Sequence, residues 1–484
     1  MNLDAIRQAF PEQNVPDVAG YYDTHISLWK QIFENEPPWK EVKRSGLYKK
    51  GKRKMKLLNA AKVLCDCFSD LTFSEQCEIT IDDGACQDYI TQQLERCGFW
   101  EKMPETISNA YALGGCAAKV FIQDNRPVID FTHADKFLPV SWIGKDITAG
   151  AFVTVSRKNE KYYTLVEMQN LNKTQYKLFR SDTANSVGTE CALSELYSFP
   201  DSTDYQSDCP MFAYFKPCVS NNAEYDTPLG MSIYANAIDT LEALDVAFDS
   251  FSREFVLGKK RIIVPATSIQ TVVDPNTGDL VRYFDANDEA FVALKNEDNT
   301  DLKITDNTVE LRVQEHVSAI NALLNILCFQ VGLSAGTLSF DAVQGMKTAT
   351  EVISQDSKTA RTIKSNKNLL TETIETVIHA LIAIGIYLGQ LKHKEYNVTV
   401  GWKDNIIIDD NTLIDNNIKL VQAGLKSKLK AIMEIQKCDE QTAQQELERI
   451  AKEQAVTGLS VDDFMNGGED DDTTGADDAQ SRAE

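Results

Sequence analysis

Two long stretches of the chain carry the apolar spacing of helices. The first, residues 231–257, has large apolar side chains three and four positions apart, which is the spacing of one helix face. The second, residues 314–333, is apolar on nearly all sides, so we expect a helix that is packed on most of its surface. Residues 259–313 between them contain short runs that alternate as strands do. The pattern predicts two helices that are connected by a β-rich insertion and form a helical hairpin.

The first of these helices also has an acidic side next to its apolar side. The carboxylates on it are Asp239, Glu242, Asp245 and Asp249. Thr227 and Pro228 are residue types that favour a helix N-terminus, and Gly258 is the type that favours a left-handed C-terminal cap. We therefore expect the helix to begin near residue 228 and to end at Gly258.

The N-terminal part is predicted to be mostly helical. Helical spacing covers residues 17–33, 55–71, 87–97 and 100–113. The stretch Lys43 to Lys56 holds eight basic residues. We interpret it as a solvated loop that leads into the next helix, and contact with DNA or with an acidic partner is the alternative interpretation.

The middle of the chain favours strands. Residues 117–181 change to short alternating runs, which predict an antiparallel meander. Residues 182–227 are typical of a loop with one extended segment at 211–217. In the insertion, the runs RIIVP, SIQTVV, LVRYF, AFVAL and VELRV predict strands, and residues 274–279 predict a hairpin turn rather than a calcium loop. Helices and antiparallel strands in separate blocks indicate an α+β fold.

Past the second long helix, residues 334–347 are rich in glycine and small side chains and have no helical period. A capping box, Thr348 to Glu351, then opens a long predicted helix. The remaining predicted elements are that helix over residues 348–390, a strand over 396–402, helices over 411–423 and 428–453, and an acidic, disordered tail from 456 to 484.

Composition narrows the possible functions. The chain has 49 Lys plus Arg against 72 Asp plus Glu, a formal charge of -23, which argues against binding nucleic acid through a broad basic surface. Eleven cysteines without a CxxC pair indicate reduced thiols in a cytosolic setting. The N-terminus has no apolar core of a signal peptide, and the longest apolar run, Val377 to Leu388, is too short to span a bilayer. We expect no membrane segment.

Motifs of enzyme chemistry are absent from the sequence. It contains no GxxxxGK[ST], GxGxxG, HExxH or GxSxG element. The histidines are not at metal-ligand spacing, and they are His25, His133, His316, His379 and His393. We therefore expect no metal, no cofactor and no catalytic residue. A hydrolase with a β-rich substrate domain and a carboxylate pair is the enzymatic alternative, because Asp and Glu are abundant.

Three stretches carry a resemblance to a known family. They are RKMKLLNAAKVLCDCFSDLTFSE, DTPLGMSIYANAIDTLEALD and GLSAGTLSFDAVQGMKTATEVISQDSKTARTIKSNKNLL. In these stretches and in the order of its parts, the chain resembles the portal proteins of tailed bacteriophages, in particular the siphophage branch found with Gram-positive hosts. The third stretch is the most specific, and the pattern covers most of residues 40 to 455. Another head or tail-connector structural protein is the alternative within phage assembly.

The resemblance implies a portal fold assembled as a closed ring, normally of twelve subunits, and divides the chain into named regions. These are the wing (1–230), the first stem helix (231–257), the clip (258–313), the second stem helix (314–334), the tunnel loop (335–347), a long wing-crossing helix (348–392), the crown (393–455) and the tail (456–484).

The resemblance also implies a role in the virion. Double-stranded DNA would pass non-specifically through the ring during packaging and ejection, and the terminase large subunit, a head-completion or adaptor protein, and the major capsid and scaffold proteins would be partners. Rings of Asp239, Glu242, Asp245 and Asp249 would repel the DNA and leave it free to slide. The tunnel loop would present Thr337, Leu338, Ser339, Phe340, Asp341, Val343, Gln344 and Lys347.

Overall fold

The structure is a computed structural model with the side chains in place. It describes residues 3–45, 50–73, 76–184, 186–205, 207, 209–258, 261–265, 271–273, 280–282, 291–294, 305–307, 310–340, 358–402, 410–436 and 440–457. The described chain mixes helices and sheets, as the sequence predicts for an α+β protein. It divides into two compact units, one of residues 1–346 and 354–403 and the other of 347–353 and 404–484.

The first unit holds eight helices among its described residues. They are α1 (Leu3–Ala9), α2 (Ser27–Phe33), α3 (Ala60–Phe73), α4 (Gly84–Arg96), α5 (Phe99–Leu113), α6 (Ile238–Leu257), α7 (Val313–Val331) and α8 (Lys358–Tyr387). A π-helical turn, Tyr21–Ile26, precedes α2. The long helix predicted over residues 348–390 is confirmed from 358 to 387, and its capping box lies outside the described residues.

The strands of the first unit form antiparallel sheets, with one parallel pair. A hairpin joins β1 (Glu41–Ser45) and β2 (Lys50–Lys54), and β3 (Glu78–Ile81) pairs with β18 (Val398–Gly401). The other described strands before α6 and α7, the two limb helices, are β4 (Cys116–Gln123), β5 (Arg126–His133), β6 (Phe137–Ile143), β7 (Asp146–Lys158), β8 (Lys161–Gln169), β9 (Lys173–Ser181), β10 (Thr189–Cys191), β11 (Ser202–Asp204) and β12 (Phe212–Phe215).

The meander predicted over residues 117–181 divides into two sheets. One sheet has the order β10-β9-β8-β7-β6 with β11 also on β9, and the other has the order β12-β4-β5. All of these pairs are antiparallel. Strands β10 and β11 lie where the sequence predicts a loop, because three-residue strands carry too little alternation to be recognised.

The insertion between α6 and α7 contains the strands β13 (Arg261–Pro265), β14 (Thr271–Val273), β15 (Leu280–Arg282), β16 (Phe291–Leu294) and β17 (Thr305–Asn307). Strand β13 pairs in parallel with β16 and antiparallel with β17, while β14 pairs with β15. The prediction of a strand at VELRV is wrong in its described part, because residues 310–312 are irregular and α7 begins at Val313. The turn at residues 274–279 lies outside the described residues.

Helix α8 lies in the core of the first unit. Its residues Leu370, Ile374, Val377, Ile378 and Leu381 are almost completely buried, and the helix packs on β4 and β12. In the described part of the chain, α8 is the one helix that is long and apolar enough to cross a membrane by length and composition alone. Its burial against the sheet accounts for this apolar character, since a core helix has the same composition.

The first limb helix begins later than the sequence predicts. Residues 228–234 are irregular, and α6 begins at Ile238 after a single 3-10 turn at Ala235–Ala237. The N–H of Ile233 donates to the carbonyl of Tyr111, and the Tyr234 hydroxyl donates to the carbonyl of Trp29. The capping prediction at Thr227 and Pro228 is therefore wrong, because long-range contacts hold this segment in the core in an irregular, non-helical form.

Helix α6 does not end in the predicted left-handed cap. Gly258 has φ −80°, so the prediction of a left-handed cap there is wrong, and an added Cβ at Gly258 would meet Leu311. Left-handed glycine caps do end two other described helices, α5 at Gly114, with φ 84°, and α7 at Gly332, with φ 89°. The residue type alone does not distinguish these glycines from Gly258.

The second unit is helical in its described part. It contains α9 (Asp410–Gln422), α10 (Lys428–Gln436) and α11 (Glu440–Thr457). The helix predicted over residues 411–423 is confirmed to within one residue at each end. Within the range 428–453, which the sequence predicts as one helix, the described residues form α10 and α11, and residues 437–439 lie outside the described residues. The tail from 458 onward also lies outside them.

Candidate functional site

Helices α6 and α7 lie side by side and run in opposite directions, and we call this pair the limb. Arg312 donates to the Glu254 carboxylate at 3.0 and 3.1 Å, and the Phe251 ring lies 5.9 Å from the ring of His316. Beyond these contacts, Gly258 at the C-terminal end of α6 lies next to Leu311, just before the N-terminus of α7. Because residue numbers fall along α6 as they rise along α7, the pair is antiparallel.

The apolar face predicted for α6 is buried over its first half. Leu241 and Leu244 are 3% and 0% exposed, whereas Phe255 near the other end is 45% exposed. On α7 the buried side chains include Ile320 and Leu327. The limb is therefore covered by the core at its α6 N-terminal end and becomes more exposed toward the insertion.

Of the four acidic residues predicted to line a channel, Asp245 is buried inside the chain. Its carboxylate accepts from the indole N–H of Trp39 at 2.9 Å and from the backbone N–H of Leu58 at 2.9 Å. Burial raises the pKa of Asp245 above its usual range, and these hydrogen bonds act against that rise. The carboxylate anchors the segment that follows the β1–β2 hairpin to α6.

Asp249 forms a second anchor one turn further along α6. The Arg53 guanidinium donates two hydrogen bonds to its carboxylate, at 2.8 and 2.6 Å, and the backbone N–H of Lys56 donates a third at 3.0 Å. The hydrogen bonds from Arg53 lower the pKa of Asp249, while burial opposes that effect. A forked pair of this kind is among the stronger charge-assisted contacts in proteins.

The basic stretch at residues 43–56 is solvated, as the sequence predicts, at Lys43, Lys52, Lys54 and Lys56, but most of it forms a hairpin rather than a loop. Residues 41–45 and 50–54 form a two-stranded hairpin, and Arg53 attaches it to α6. The partners Arg53 and Asp249 are 196 positions apart, so no local sequence pattern could have joined them.

Asp239 and Glu242 differ from the other two carboxylates because both are exposed on the side of α6 that faces away from α7. The four acidic residues therefore do not form one exposed stripe. A DNA-facing role stays a prediction for Asp239 and Glu242, whereas the contacts of Asp245 and Asp249 within the chain account for those two carboxylates.

The described part of the predicted tunnel loop packs back on the limb. The N–H of Phe340 donates to the side chain of Asn321 at 2.8 Å, and its ring lies about equally far from Phe248 and Phe251, at 6.3 and 6.2 Å. The Thr337 hydroxyl donates to the carbonyl of Ser334. Leu338 is partly buried and Ser339 is exposed. Asp341, Val343, Gln344 and Lys347 lie outside the described residues.

The start of α8 is joined to the end of α7. The Lys358 ammonium donates to the carbonyl of Phe329 at 2.7 Å and lies 4.6 Å from the centre of its ring. The Thr362 hydroxyl donates to the carbonyl of Gly332, and the N–H of Ser334 donates to the Thr359 hydroxyl. These contacts fix a positive charge beside the C-terminal end of α7.

Several charged groups outside the limb form pairs in the described chain. In the 380 Å³ recess between α3 and α5, Asp66 accepts from Lys62 at 2.6 Å and from Ser108 at 2.7 Å. Lys119 and Glu167 form an almost fully buried pair at 2.8 Å. No group of three or more metal-ligating side chains occurs within the described ranges. These pairs are contacts that hold the fold together.

A family model and a solved structure each match most of the chain. The family described as "Phage portal protein, SPP1 Gp6-like" matches residues 21–457. Among solved structures, a chain of the virion of a native gene transfer agent (GTA) particle is similar over 78% of this chain and 88% of that one, with 11% identity and a TM-score of 0.38. No curated protein sequence matches the chain.

Proposed function

Because the chain belongs to the SPP1 Gp6-like family of phage portal proteins, we propose that copies of it form a closed ring at one vertex of a capsid, through which double-stranded DNA enters and leaves. The protein is a phage portal protein and a component of the virion. The observation that carries the proposal is the family match over residues 21–457. The family is structural rather than enzymatic, so we propose no catalytic role.

The exposed apolar side chains of the limb support assembly. Half of the large apolar side chains that are exposed in the described chain lie between residues 246 and 340. They are Val246, Phe255, Val256, Leu257, Leu311, Val313, Ile326, Phe329 and Phe340. Exposed large apolar side chains that are concentrated in one part of a chain often mark contact with further protein, so such contact is expected there. In a ring, each copy contacts two neighbours through different surfaces, which lets the assembly close.

The regions of the chain are assigned roles within that ring. We assign the wing to residues 1–230, the stem to α6 and α7, the clip to residues 258–313 and the tunnel loop to 335–347. Helix α8 would cross the wing toward the crown at 393–455. The antiparallel limb with strands between its two helices supports the stem and clip assignments.

The partners follow from the route of the DNA. The terminase large subunit would dock on the clip during packaging, and a head-completion or adaptor protein would take its place afterwards. The capsid and scaffold proteins would surround the wing and crown. The formal charge of -23 favours a channel that repels DNA rather than one that holds it, since a basic lining would bind the phosphates and release counterions.

A stop codon early in the gene tests this function in the phage that carries it. We expect such phage to produce no DNA-filled particles, and we expect the full-length protein supplied in trans to restore them. Normal yields of DNA-filled particles without the protein would refute the portal role. A matched control supplies a chain truncated after α5, which lacks the limb and should not restore packaging.

A further inference from the structure

The outer face of α7 is an exposed apolar stripe. Phe329 is 73% exposed and Ile326 is 48% exposed. Ala322, Ala319 and Ser318 are exposed on the same side of the helix, at spacings of three and four. Small side chains beside large apolar ones allow a second helix to approach closely. Within the described residues this stripe is not covered by the core.

The outer face of α6 is a mixed stripe. The exposed side chains on it are Asp239, Glu242, Val246, Ser250 and Arg253, again at spacings of three and four. This face points away from α7, whose side of α6 carries Phe251, and it borders the side bound by the β1–β2 hairpin, because Asp249 is three residues from Val246 and four from Arg253. The limb thus presents two different free faces.

The contacts inside the limb fix which residues lie at the same height on the two helices. Gly258 is level with Leu311, and Phe251 is level with His316. Because the helices are antiparallel, each step of one residue toward the N-terminus of α6 corresponds to a step of one residue toward the C-terminus of α7. On this basis Arg253 is level with Glu315, and Val246 is level with Ala322. Asp239 is level with Phe329, beside which Lys358 is held.

We propose that the outer face of α6 in one copy packs on the outer face of α7 in the next copy around the ring. The inference rests on the proposed ring, and it names the surfaces that join neighbouring copies. Rotation about the ring axis keeps every copy at one height, so residues at the same level in one chain lie opposite each other between chains, to within about one helical turn, ~5.4 Å.

The charges of the two faces are complementary in that register. At one end Arg253 faces Glu315 of the next copy. At the other end Asp239 and Glu242 face Lys358, whose ammonium binds a carbonyl and an aromatic ring inside its own chain rather than a carboxylate. Between the two charged ends, Val246 faces Ala322. Complementary charges around an apolar centre are the usual arrangement of a specific interface.

This assignment changes the role of the exposed acidic pair. Asp239 and Glu242 were predicted from the sequence to face the DNA, and the interface places them against the neighbouring copy instead. They then select the neighbour and set the height at which it docks, and the channel side of the limb is formed by other residues.

Cysteine cross-linking tests the register. One copy carries Val246→Cys and a second, distinguishable by size, carries Ala322→Cys, both in a background with the exposed Cys218 replaced by Ser. After mild oxidation of mixed rings, we expect a disulfide dimer that contains one copy of each kind. The doubly substituted chain should give a ladder of multimers up to the closed ring. The control pairs Ala322→Cys with Ile143→Cys, a 76% exposed site on β6.

The outcomes separate the interface from the ring. A closed ring of the expected mass with no cross-link above the control would overturn this register and leave the ring intact. Absence of any ring in the unsubstituted protein would overturn the proposed function and the interface together. A cross-link within single copies rather than between two different copies would also overturn the inference.

Charge exchange provides a second test that needs no oxidation. Arg253→Glu or Glu315→Arg alone should raise the concentration at which half of the subunits assemble roughly fivefold, because each places like charges opposite each other. The two changes together should bring it back to within about twofold of the starting value. If Asp239→Lys with Glu242→Lys assembles normally and only DNA packaging falls, the acidic pair faces the channel and the interface is wrong.

Discussion

Replacing Asp249 by alanine tests the link between the basic hairpin and the limb. The change removes both hydrogen bonds to Arg53 and leaves the N–H of Lys56 without its acceptor. The side chains of Arg53 and Asp249 are 17% and 6% exposed, so the pair is largely shielded from water. Breaking such a pair from one side leaves an uncompensated charge and costs about 3 kcal/mol.

The cost should appear first in the hairpin itself. A two-stranded hairpin is marginally stable on its own, and β1 and β2 therefore depend on this anchor. Since 1.4 kcal/mol corresponds to a tenfold change in an equilibrium constant, about 3 kcal/mol predicts roughly a hundredfold loss of protection. Hydrogen–deuterium exchange of the peptides covering residues 41–54 measures that loss directly.

Asp239→Ala is the matched control, because it removes a carboxylate from the same helix at an exposed position. Its hairpin should exchange at the rate of the unsubstituted protein. If Asp249→Ala leaves the exchange of residues 41–54 unchanged, the hairpin is held by other contacts and the reasoning from Arg53 fails. If exchange rises everywhere in the first unit, the pair stabilises the whole unit rather than the hairpin.

Further predictions concern pH, a buried pair, a glycine and the tunnel loop. Because the pKa of Asp249 is lowered in the folded chain, its contribution to stability should be complete above the unfolded value of about 4 and should be lost as the pH falls through the lower folded value. The difference in unfolding temperature between the unsubstituted protein and Asp249→Ala should therefore shrink only as the pH falls below about 4. Lys119→Met should lower the free energy of unfolding by about 3 kcal/mol in denaturant titration, and adding Glu167→Leu should recover most of it, whereas additive losses would contradict the buried pair. Gly114→Ala should reduce the yield of folded protein sharply, because Gly114 has φ 84° and an added Cβ would lie 2.7 Å from the carbonyl oxygen of Gly230; a normal unfolding temperature would contradict this account. Deletion of residues 337–345 should leave ring assembly intact and alter DNA translocation or retention, and loss of helical circular dichroism would show instead that the loop is structural.

The parts of the fold predicted from sequence are those with long, regular periods. Helices α5, α7 and α8 follow from apolar positions at helical spacing, and β4 to β9 follow from alternation, because each pattern repeats several times within its element. The start of α6 is different. The segment before it has the residue types of a helix N-terminus, but the N–H of Ile233 in that segment donates to the carbonyl of Tyr111. The two residues are far apart in the sequence, so no local sequence pattern predicts this hydrogen bond.

The candidate site shows the same limit. The sequence places four acidic residues at helical spacing on α6 and predicts that all four face the DNA. In the structure, Arg53 and Trp39 bind Asp249 and Asp245, while Asp239 and Glu242 remain exposed. Which carboxylates have partners inside the chain depends on contacts between residues about two hundred positions apart. Spacing along a single helix carries no information about them.

Closure of copies of this chain into a ring can be measured on the purified protein. Size-exclusion chromatography with light scattering gives the mass of the particle, and negative-stain images of the peak show its shape. We expect a particle near twelve times 54.1 kDa with a central hole. A monodisperse monomer that persists at high protein concentration and across a range of salt would rule out the ring.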